Sequence, residues 1–246
     1  MDSRPNRRPL GRLIAFEGID GSGKRTQMEL LAGSLAAGMG GRSVYTTGFP
    51  QYDSFFGKMV GQFLNGDFGP LEALDPHLTA LLYAGDRFEA KTRLEAALNQ
   101  GKVVLVDRYI GSNLAHQTAR VPKEKRSEYL NWVRHLEYNI YGLPREDRVV
   151  YLRVPPSEAQ RLVNQKTPRS YTSAKQDILE ASLKHLQEAA NIYDQLSRDN
   201  PWVTIECFDQ KRGAMRTPQE IAQDVSAAVQ PVLFTQVAPN PAAGGR

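Results

Sequence analysis

The stretch LIAFEGIDGSGKRTQMELL, residues Leu13 to Leu31, decides the fold. An apolar run leads into Gly18, the pair Gly23-Lys24 follows, and an amphipathic helical pattern begins directly after it. A buried strand, a glycine-rich turn and a helix in this order are typical of a phosphate-binding loop. In such a loop, backbone N–H groups and the helix N-terminus hold the phosphates of a nucleotide. The stretch therefore predicts a nucleotide site at the end of the first strand.

The residues of this loop are the first candidates for nucleotide binding, and Lys24 is the one expected to reach the β- and γ-phosphates. The candidates are Gly18, Ile19, Asp20, Gly21, Ser22, Gly23, Lys24, Arg25 and Thr26.

Arg25 stands where a magnesium-binding Ser or Thr is expected. A guanidinium has no acceptor atom, so Arg25 is not a metal ligand. Three interpretations remain open. The ion is held by the phosphates, waters and another carboxylate; Arg25 itself neutralises phosphate charge; or Arg25 is a solvated side chain in the first helical turn.

Asp107 is the natural carboxylate for that ion. The run VVLVDRY places it at the C-terminal end of an apolar strand, where open α/β sheets bind their ligands. We expect Asp107 to act on Mg²⁺ through water, and the alternative is that it caps the next helix.

Five apolar runs alternate with helical patterns along the chain. They are Leu13–Phe16, Val44–Thr47, Val103–Val106, Val149–Val154 and Trp202–Phe208. Strands that alternate with helices form a parallel sheet wrapped by helices, so the sequence predicts an α/β protein. Asp75-Pro76 is expected to begin a long helix that ends near Asn99, and residues 217–220, TPQE, are a capping box for the last helix.

The length and composition predict one domain, residues 13–234, between a basic flexible tail at 1–12 and a disordered tail at 235–246. The net charge is +4, but the tails carry the excess and residues 13–245 sum to zero, so no nucleic-acid partner is expected. Neither a membrane span nor a secretory signal is evident. The single Cys207 favours a reducing compartment, so the predicted location is the cytoplasm.

Further candidates point to a second phosphate and a planar base. Arg108 follows Asp107 and suits bidentate capture of a phosphate, with a surface salt bridge as the alternative. Tyr83 and Arg87 are four residues apart on one helix face, which would present an aromatic plane and a donor pair to a base. The alternative, which this spacing alone favours, is that Tyr83 packs in the core and Arg87 forms a salt bridge. The polar segment NQKTPRSY, residues 164–171, carries Lys166 and Arg169 and has the charge of a closing lid, with a solvated basic loop as the alternative.

Taken together, the motifs resemble the thymidylate kinase family from Leu13 to about Leu233. The resemblance lies in FEGIDGSGKRTQ, FPQYDSFFGKMVGQFLNGDFG, DRYIGSNLAHQ and PRSY followed by KQDILE. It implies a P-loop NTPase-type three-layer α/β/α fold with a five-stranded parallel sheet and a short lid at about 165–173. It also implies transfer of the γ-phosphoryl group of ATP to dTMP, with Mg²⁺, in a homodimer.

The resemblance also implies roles for individual residues. Asp20 would contact the deoxyribose 3′-hydroxyl, Arg108 the dTMP phosphate, Arg87 the thymine edge and Tyr83 the thymine face. The same pocket would include Phe49, Ser112, His116, Gln117 and the lid residue Tyr171, although an exposed helix histidine is an equal alternative for His116. Because the phosphate loop has Gly21-Ser22 and no arginine between Asp20 and Gly23, the catalytic arginine of the family corresponds here to Arg169 in the lid. Lys24 and Arg108 are the other two catalytic candidates. A cis peptide bond at Phe49-Pro50 is expected.

Two alternative functions stay open. The first is a different nucleoside monophosphate kinase that acts on dUMP or UMP, because one methyl group contributes only about 1–3 kcal/mol of discrimination. The second is a catalytically weak nucleotide-binding protein in which Arg25 impairs the chemistry.

Overall fold

The computed structural model describes residues 11–38, 43–163 and 183–234. A five-stranded sheet forms its centre, with strand order β2-β3-β1-β4-β5 and every neighbouring pair parallel. The strands are β1 Arg12–Glu17, β2 Val44–Gly48, β3 Val103–Asp107, β4 Arg148–Arg153 and β5 Trp202–Glu206. The predicted α/β class and five-stranded parallel sheet are confirmed.

Helices cover both faces of the sheet: α1 packs against α8, and α4 packs against α3 and α7. The helices are α1 Lys24–Gly38, α2 Phe55–Asn65, α3 Pro76–Asn99, α4 Ile110–Thr118, α5 Arg126–Arg134, α6 Pro156–Val163, α7 Leu183–Leu196 and α8 Pro218–Phe234. Two short 3₁₀ turns occur at Leu71–Ala73 and Lys123–Lys125, a π-helical turn at His135–Ile140, and a small antiparallel hairpin joins β6 Phe208–Asp209 to β7 Ala214–Met215.

The predicted helix starts are confirmed by their caps. Asp75 Oδ1 accepts from the backbone N–H of His77 at 2.6 Å, and Pro76 occupies the first helical turn of α3. At the start of α8, Thr217 Oγ1 accepts from the N–H of Glu220 at 3.2 Å, while Glu220 Oε2 accepts from the N–H of Thr217 at 2.7 Å. Both caps provide acceptors for backbone N–H groups that would otherwise have no partner at a helix N-terminus.

The sheet interior positions the site. Leu13–Phe16 and Val103–Val106 are buried, because both strands lie inside the sheet and are covered on both faces. Polar residues appear where these strands end, at Glu17 and Asp107, on the edge where parallel sheets bind ligands. Across the three described ranges we find no helix with the length and hydropathy to cross a bilayer.

Candidate active site

The phosphate loop connects β1 to α1 and depends on glycine geometry. Gly21 and Gly23 have φ of 87° and 86°, a region that side-chain-bearing residues seldom adopt. A Cβ atom at Gly21 would also collide with the carbonyl oxygen of Ala159 on α6. The loop can therefore turn tightly into the N-terminus of α1, where backbone donors face a ligand.

Lys24 is buried within this loop. Its Nζ donates to the carbonyl oxygens of Gly18 and Ile19, both at 2.9 Å. Burial, and then the neighbouring charge of Arg108, lower the pKa of the ammonium to about 8. An anionic phosphate would relieve both effects, because it favours the charged form of the lysine.

Arg25 is solvent-exposed, with 80% of its side chain accessible. Its Nε lies 2.9 Å from Glu29 Oε1, one helical turn further along α1. In this structure Arg25 is thus a solvated first-turn side chain, which is one of the three interpretations of the sequence. Arg25 and Glu29 both line the phosphate groove, so their charges contribute to the electrostatic potential of that groove.

Asp107 ends β3, and its Oδ1 is buried without a hydrogen-bond partner in the described part of the chain. The alternative that Asp107 caps α4 is wrong. Glu17 takes that role from the neighbouring strand, because its Oε1 accepts from the N–H groups of Tyr109 at 2.8 Å and Ser112 at 3.0 Å. A buried carboxylate oxygen left without a donor, next to a phosphate loop, fits a hydrated Mg²⁺ ion.

Arg108 adopts φ of 65°, the single positive value at a non-glycine residue in the described ranges. Its Nη2 lies 2.6 Å from Asp20 Oδ1 in the phosphate loop, and its Nη1 donates to Ser112 Oγ at 3.0 Å. Burial by itself would lower the pKa of Arg108, but Asp20 and the other acidic groups nearby, Asp107 and Glu17 among them, together outweigh burial and the pKa is raised. Because its side chain is only 16% exposed, the ion pair is not the surface salt bridge considered from the sequence.

Two adjoining cavities meet at this arginine. A phosphate groove contains Gly21, Gly23, Lys24 and Asp107, and a narrower pocket extends towards α3 and α4. Five residues line both cavities: Asp20, Phe49, Pro50, Tyr52 and Arg108. The peptide bond between Phe49 and Pro50 is cis, as expected from the sequence.

The narrower pocket brings together the candidates for acceptor binding that lie in the described residues. Its lining consists of Asp20, Phe49, Pro50, Tyr52, Leu64, Tyr83, Arg87, Arg108, Ser112, Asn113, His116 and Gln117. Arg169 and Tyr171 lie outside the described residues, as does the whole predicted lid. The structure thus groups residues from the phosphate loop, α2, α3 and α4 around one space.

Arg87 is fully buried and forms a bidentate pair with Glu137, Nε to Oε2 at 2.7 Å and Nη2 to Oε1 at 2.6 Å. Burial would lower the pKa of Arg87, but the Glu137 carboxylate outweighs it and the pKa is raised. Asn113 donates through Nδ2 to the same Oε1 at 2.7 Å. The sequence-based reasoning missed Asn113 and Glu137. Asn113 was recognisable next to Ser112, whereas Glu137, 50 residues from Arg87, carries no local signal.

His116 is buried in the pocket wall, so the alternative of an exposed helix histidine is wrong. Its Nδ1 lies 3.4 Å from Nε2 of His185 on α7. Burial, followed by the nearby charge of Arg108, holds the pKa of His116 well below its ordinary value. A neutral ring at this position packs against His185 and Tyr193, which ties the pocket to α7.

A parallel sheet of this strand order, a phosphate loop and a pocket for a second ligand define a P-loop phosphotransferase. The chain belongs to the thymidylate kinase family, because the model of that family, described as "Thymidylate kinase", matches residues 16–215.

Individual relatives agree with this assignment. The chain is 38% identical over 143 residues to a thymidylate kinase of Mycobacterium tuberculosis, a match that covers 58% of this chain and 65% of that protein. It is 29% identical over 222 residues to a probable thymidylate kinase of Pyrobaculum aerophilum, covering 89% and 97% of the two chains. The solved thymidylate kinase of Candida albicans has the same fold, with a TM-score of 0.66 at 18% identity over 90% of this chain and 92% of that one.

Proposed function

We propose that this protein transfers the γ-phosphoryl group of ATP to dTMP and so forms dTDP and ADP. The observation that carries the proposal is the wall shared by the two cavities, where Arg108 and Asp20 face both the phosphate groove and the narrower pocket. A kinase must hold the acceptor phosphate next to the γ-phosphate of the donor, and a common wall provides that proximity.

The chain's charged side chains account for the transfer. Lys24 in the groove would neutralise the β- and γ-phosphates, and Arg108 on the shared wall would hold the phosphate of dTMP. An oxygen of that phosphate attacks the γ-phosphorus and the bond to the β-phosphate oxygen of ATP breaks, so ADP leaves. The attacking oxygen is already ionised, and therefore no general base is required. We further propose Arg169 and Tyr171 as lid residues that complete the site.

The proposed cofactor is Mg²⁺, carried with ATP. No cluster of three or more metal-ligating side chains occurs among the described residues, so the nucleotide phosphates and water would supply most ligands. Asp107, with its partnerless buried oxygen, would hold a metal-bound water. When bound, the ion neutralises charge that develops on the phosphates.

The pocket side chains support thymine as the base. Tyr83 would lie against the ring face, and Arg87 would donate to a carbonyl oxygen of the base edge. Asn113 Oδ1 is buried and has no partner among the described residues, so it would accept from the ring N–H beside that carbonyl. Asp20, Ser112, His116 and Gln117 line the remaining wall, on the side proposed for the sugar and phosphate.

We also propose a homodimer that works in the cytoplasm. Phe55, Phe88 and Ile140 expose 67%, 48% and 64% of their surface, and we propose that a second copy of the chain covers them. The rings of Phe88 and Tyr141 lie 4.9 Å apart, so Phe88 on α3 lies next to the residue that follows Ile140. Cys207 is a free buried thiol, which supports a reducing compartment. Sedimentation of wild-type protein beside Phe88→Glu tests the dimer, and a single monomeric species for both would overturn it.

The test of function is the initial rate of ADP formation from Mg·ATP with dTMP, compared with dUMP, UMP and no acceptor. We expect a dTMP-dependent rate well above the other three. A higher rate with dUMP or UMP than with dTMP would identify that nucleotide as the substrate. A rate equal to that without acceptor, from folded protein that binds ATP, would favour the nucleotide-binding alternative.

A further inference from the structure

Glu137 lies behind the pocket rather than in it. It belongs to the π-helical turn His135–Ile140, is completely buried, and is not part of the pocket lining. Its carboxylate nevertheless accepts three hydrogen bonds from the two lining residues Arg87 and Asn113, at 2.6 to 2.7 Å. One carboxylate therefore positions both side chains, Arg87 and Asn113, that are proposed to bind the base edge.

The chemistry of a carboxylate fixes the orientation of the Asn113 amide. An ionised carboxylate only accepts hydrogen bonds, so Asn113 must direct its NH₂ group towards Glu137. The second N–H of that group donates to the carbonyl oxygen of Ala80 at 3.1 Å. If the amide were reversed, Oδ1 would face two acceptors at once. Its orientation is thus set twice, and Oδ1 is left as an acceptor for a ligand.

The same carboxylate engages Nε and Nη2 of Arg87, which leaves Nη1 as the guanidinium nitrogen directed elsewhere. Arg87 and Asn113 both line the pocket and share Glu137 Oε1, so the acceptor Asn113 Oδ1 and the donor Arg87 Nη1 remain available for a base edge. The imide edge of thymine or uracil presents a ring N–H donor beside a carbonyl acceptor, which is the complement of this pair. The edge of cytosine presents a ring nitrogen acceptor beside an amino donor. The acceptor would then face the Asn113 acceptor and the amino group would face the Arg87 donor, so both contacts are unfavourable.

We infer that Glu137 is a specificity-determining positioning residue: by accepting from both Arg87 and Asn113, it commits the pocket to bases with an imide edge and excludes cytosine-like bases. This inference rests on the proposed function, because it takes the narrower pocket as the site of the acceptor base. It adds a residue that touches neither substrate and acts through two that do.

The test compares dTMP with 5-methyl-dCMP, which has the same ring and methyl group but the opposite donor and acceptor pattern. The variant is Glu137→Gln, whose amide both donates and accepts, so that only the Ala80 carbonyl still favours the observed orientation of Asn113. We expect the ratio of kcat/KM for dTMP to that for 5-methyl-dCMP to fall by about tenfold or more, mainly through the KM of dTMP.

The matched control is Glu146→Gln. Glu146 is another carboxylate behind this region, accepts from the hydroxyl of Tyr138 at 2.7 Å, and has no part in the pocket lining. Its variant should keep the substrate ratio within about twofold of wild type. A folded Glu137→Gln protein with the wild-type ratio would overturn the inference, since a purely structural role would lower activity with both substrates alike.

If Glu137→Gln does not fold, the inference is tested with Glu137→Asp instead. Aspartate still only accepts hydrogen bonds, so the substrate ratio should remain within about threefold of wild type even if kcat/KM declines. A tenfold fall in that ratio would overturn the inference. Calorimetric binding of dTMP and 5-methyl-dCMP to the same proteins separates this result from a failure of the proposed function, because it reads base preference without turnover.

Discussion

Arg108 Nη2 lies 2.6 Å from Asp20 Oδ1, so an ion pair joins the end of β3 to the phosphate loop. We expect Asp20→Asn to release this guanidinium and to lower kcat/KM for dTMP by about 10- to 100-fold, because hydrogen bonds to charged groups contribute about 1.5–3 kcal/mol. The KM of ATP should change by less than about threefold, which steady-state kinetics with each substrate varied will show.

The control for that variant is Asp194→Asn, which disrupts an ion pair with Arg153 (2.8 Å) outside both cavities. It should retain wild-type kinetics. If Asp20→Asn also kept its kcat/KM for dTMP, the pair would have no part in holding the acceptor phosphate.

The buried ammonium of Lys24 should lower the free energy of unfolding at neutral pH. Its pKa is lowered to about 8 by burial and by Arg108, so the unfolded chain, with an ordinary lysine pKa near 10.4, binds more protons between pH 8 and 10. The free energy of unfolding therefore rises with pH across that interval, and the full penalty is present at pH 7. We expect Lys24→Met to abolish turnover yet to raise the free energy of unfolding at pH 7 by about 1–3 kcal/mol.

Urea unfolding at pH 7 and pH 9.5 checks this, and the difference between wild type and Lys24→Met should narrow at the higher pH. Lys58→Met, a change at an exposed lysine, should show no such difference. A loss of stability in Lys24→Met would mean that the hydrogen bonds to Gly18 and Ile19 outweigh the desolvation of the ammonium.

Arg25 should matter for ATP binding but little for stability. We expect Arg25→Thr to raise the KM of ATP by about three- to tenfold, because a positive charge leaves the rim of the phosphate groove while the buried Lys24 remains. The free energy of unfolding should decrease by only about 0.3–0.5 kcal/mol, the usual contribution of an exposed pair one helical turn apart.

Glu29→Gln is the matched variant, since it breaks the same pair and keeps the charge of Arg25. Equal effects of the two substitutions on the KM of ATP would assign the role to the pair. A faster Arg25→Thr enzyme with a sharper Mg²⁺ dependence would instead show that the missing hydroxyl limits the natural protein.

The histidine pair should make the fold sensitive to acid. Burial, with a smaller contribution from Arg120, lowers the pKa of His185 to about 4, whereas the unfolded value is near 6.5. Between these values the unfolded state binds more protons, so the free energy of unfolding falls as the pH decreases from 6.5 to 4. We expect His185→Asn to reduce this slope, with a Tm nearer to wild type at pH 5 than at pH 7.

Thermal unfolding at several pH values between 4.5 and 7.5 measures the effect. His135→Asn, at an exposed position, should follow the wild-type profile. Parallel profiles for wild type and His185→Asn would mean that His185 is charged in the folded protein as readily as in the unfolded one.

The sheet could be predicted because its interior strands are short apolar runs, and Val103–Val106 is recognisable whatever surrounds it. The phosphate loop is equally local, since three glycines and Lys24 fall within seven residues. β1 and β3 extend one residue beyond the predicted runs, to Glu17 and Asp107, because the hydrogen-bonded ladder continues into the polar residues at the sheet edge. β5 ends at Glu206, two residues before the predicted Phe208, which belongs to the small hairpin.

The supporting contacts could not be predicted, because they join residues far apart in sequence. Glu17 replaces Asp107 as the cap of α4 across 92 residues, and Glu137 reaches Arg87 across 50. His116 was open to two interpretations because a helix sequence does not reveal which neighbour, here His185 on α7, will cover one of its faces.

The wall that the two cavities share has a consequence for inhibition. A single molecule with a pyrimidine nucleoside at one end and a short polyphosphate at the other would contact Asp20 and Arg108 from both sides. Tethering the two halves makes the second contact intramolecular, which raises affinity without new interactions. Substitutions on the wall that weaken such a compound would also weaken binding of the proposed acceptor, because both use the same two side chains.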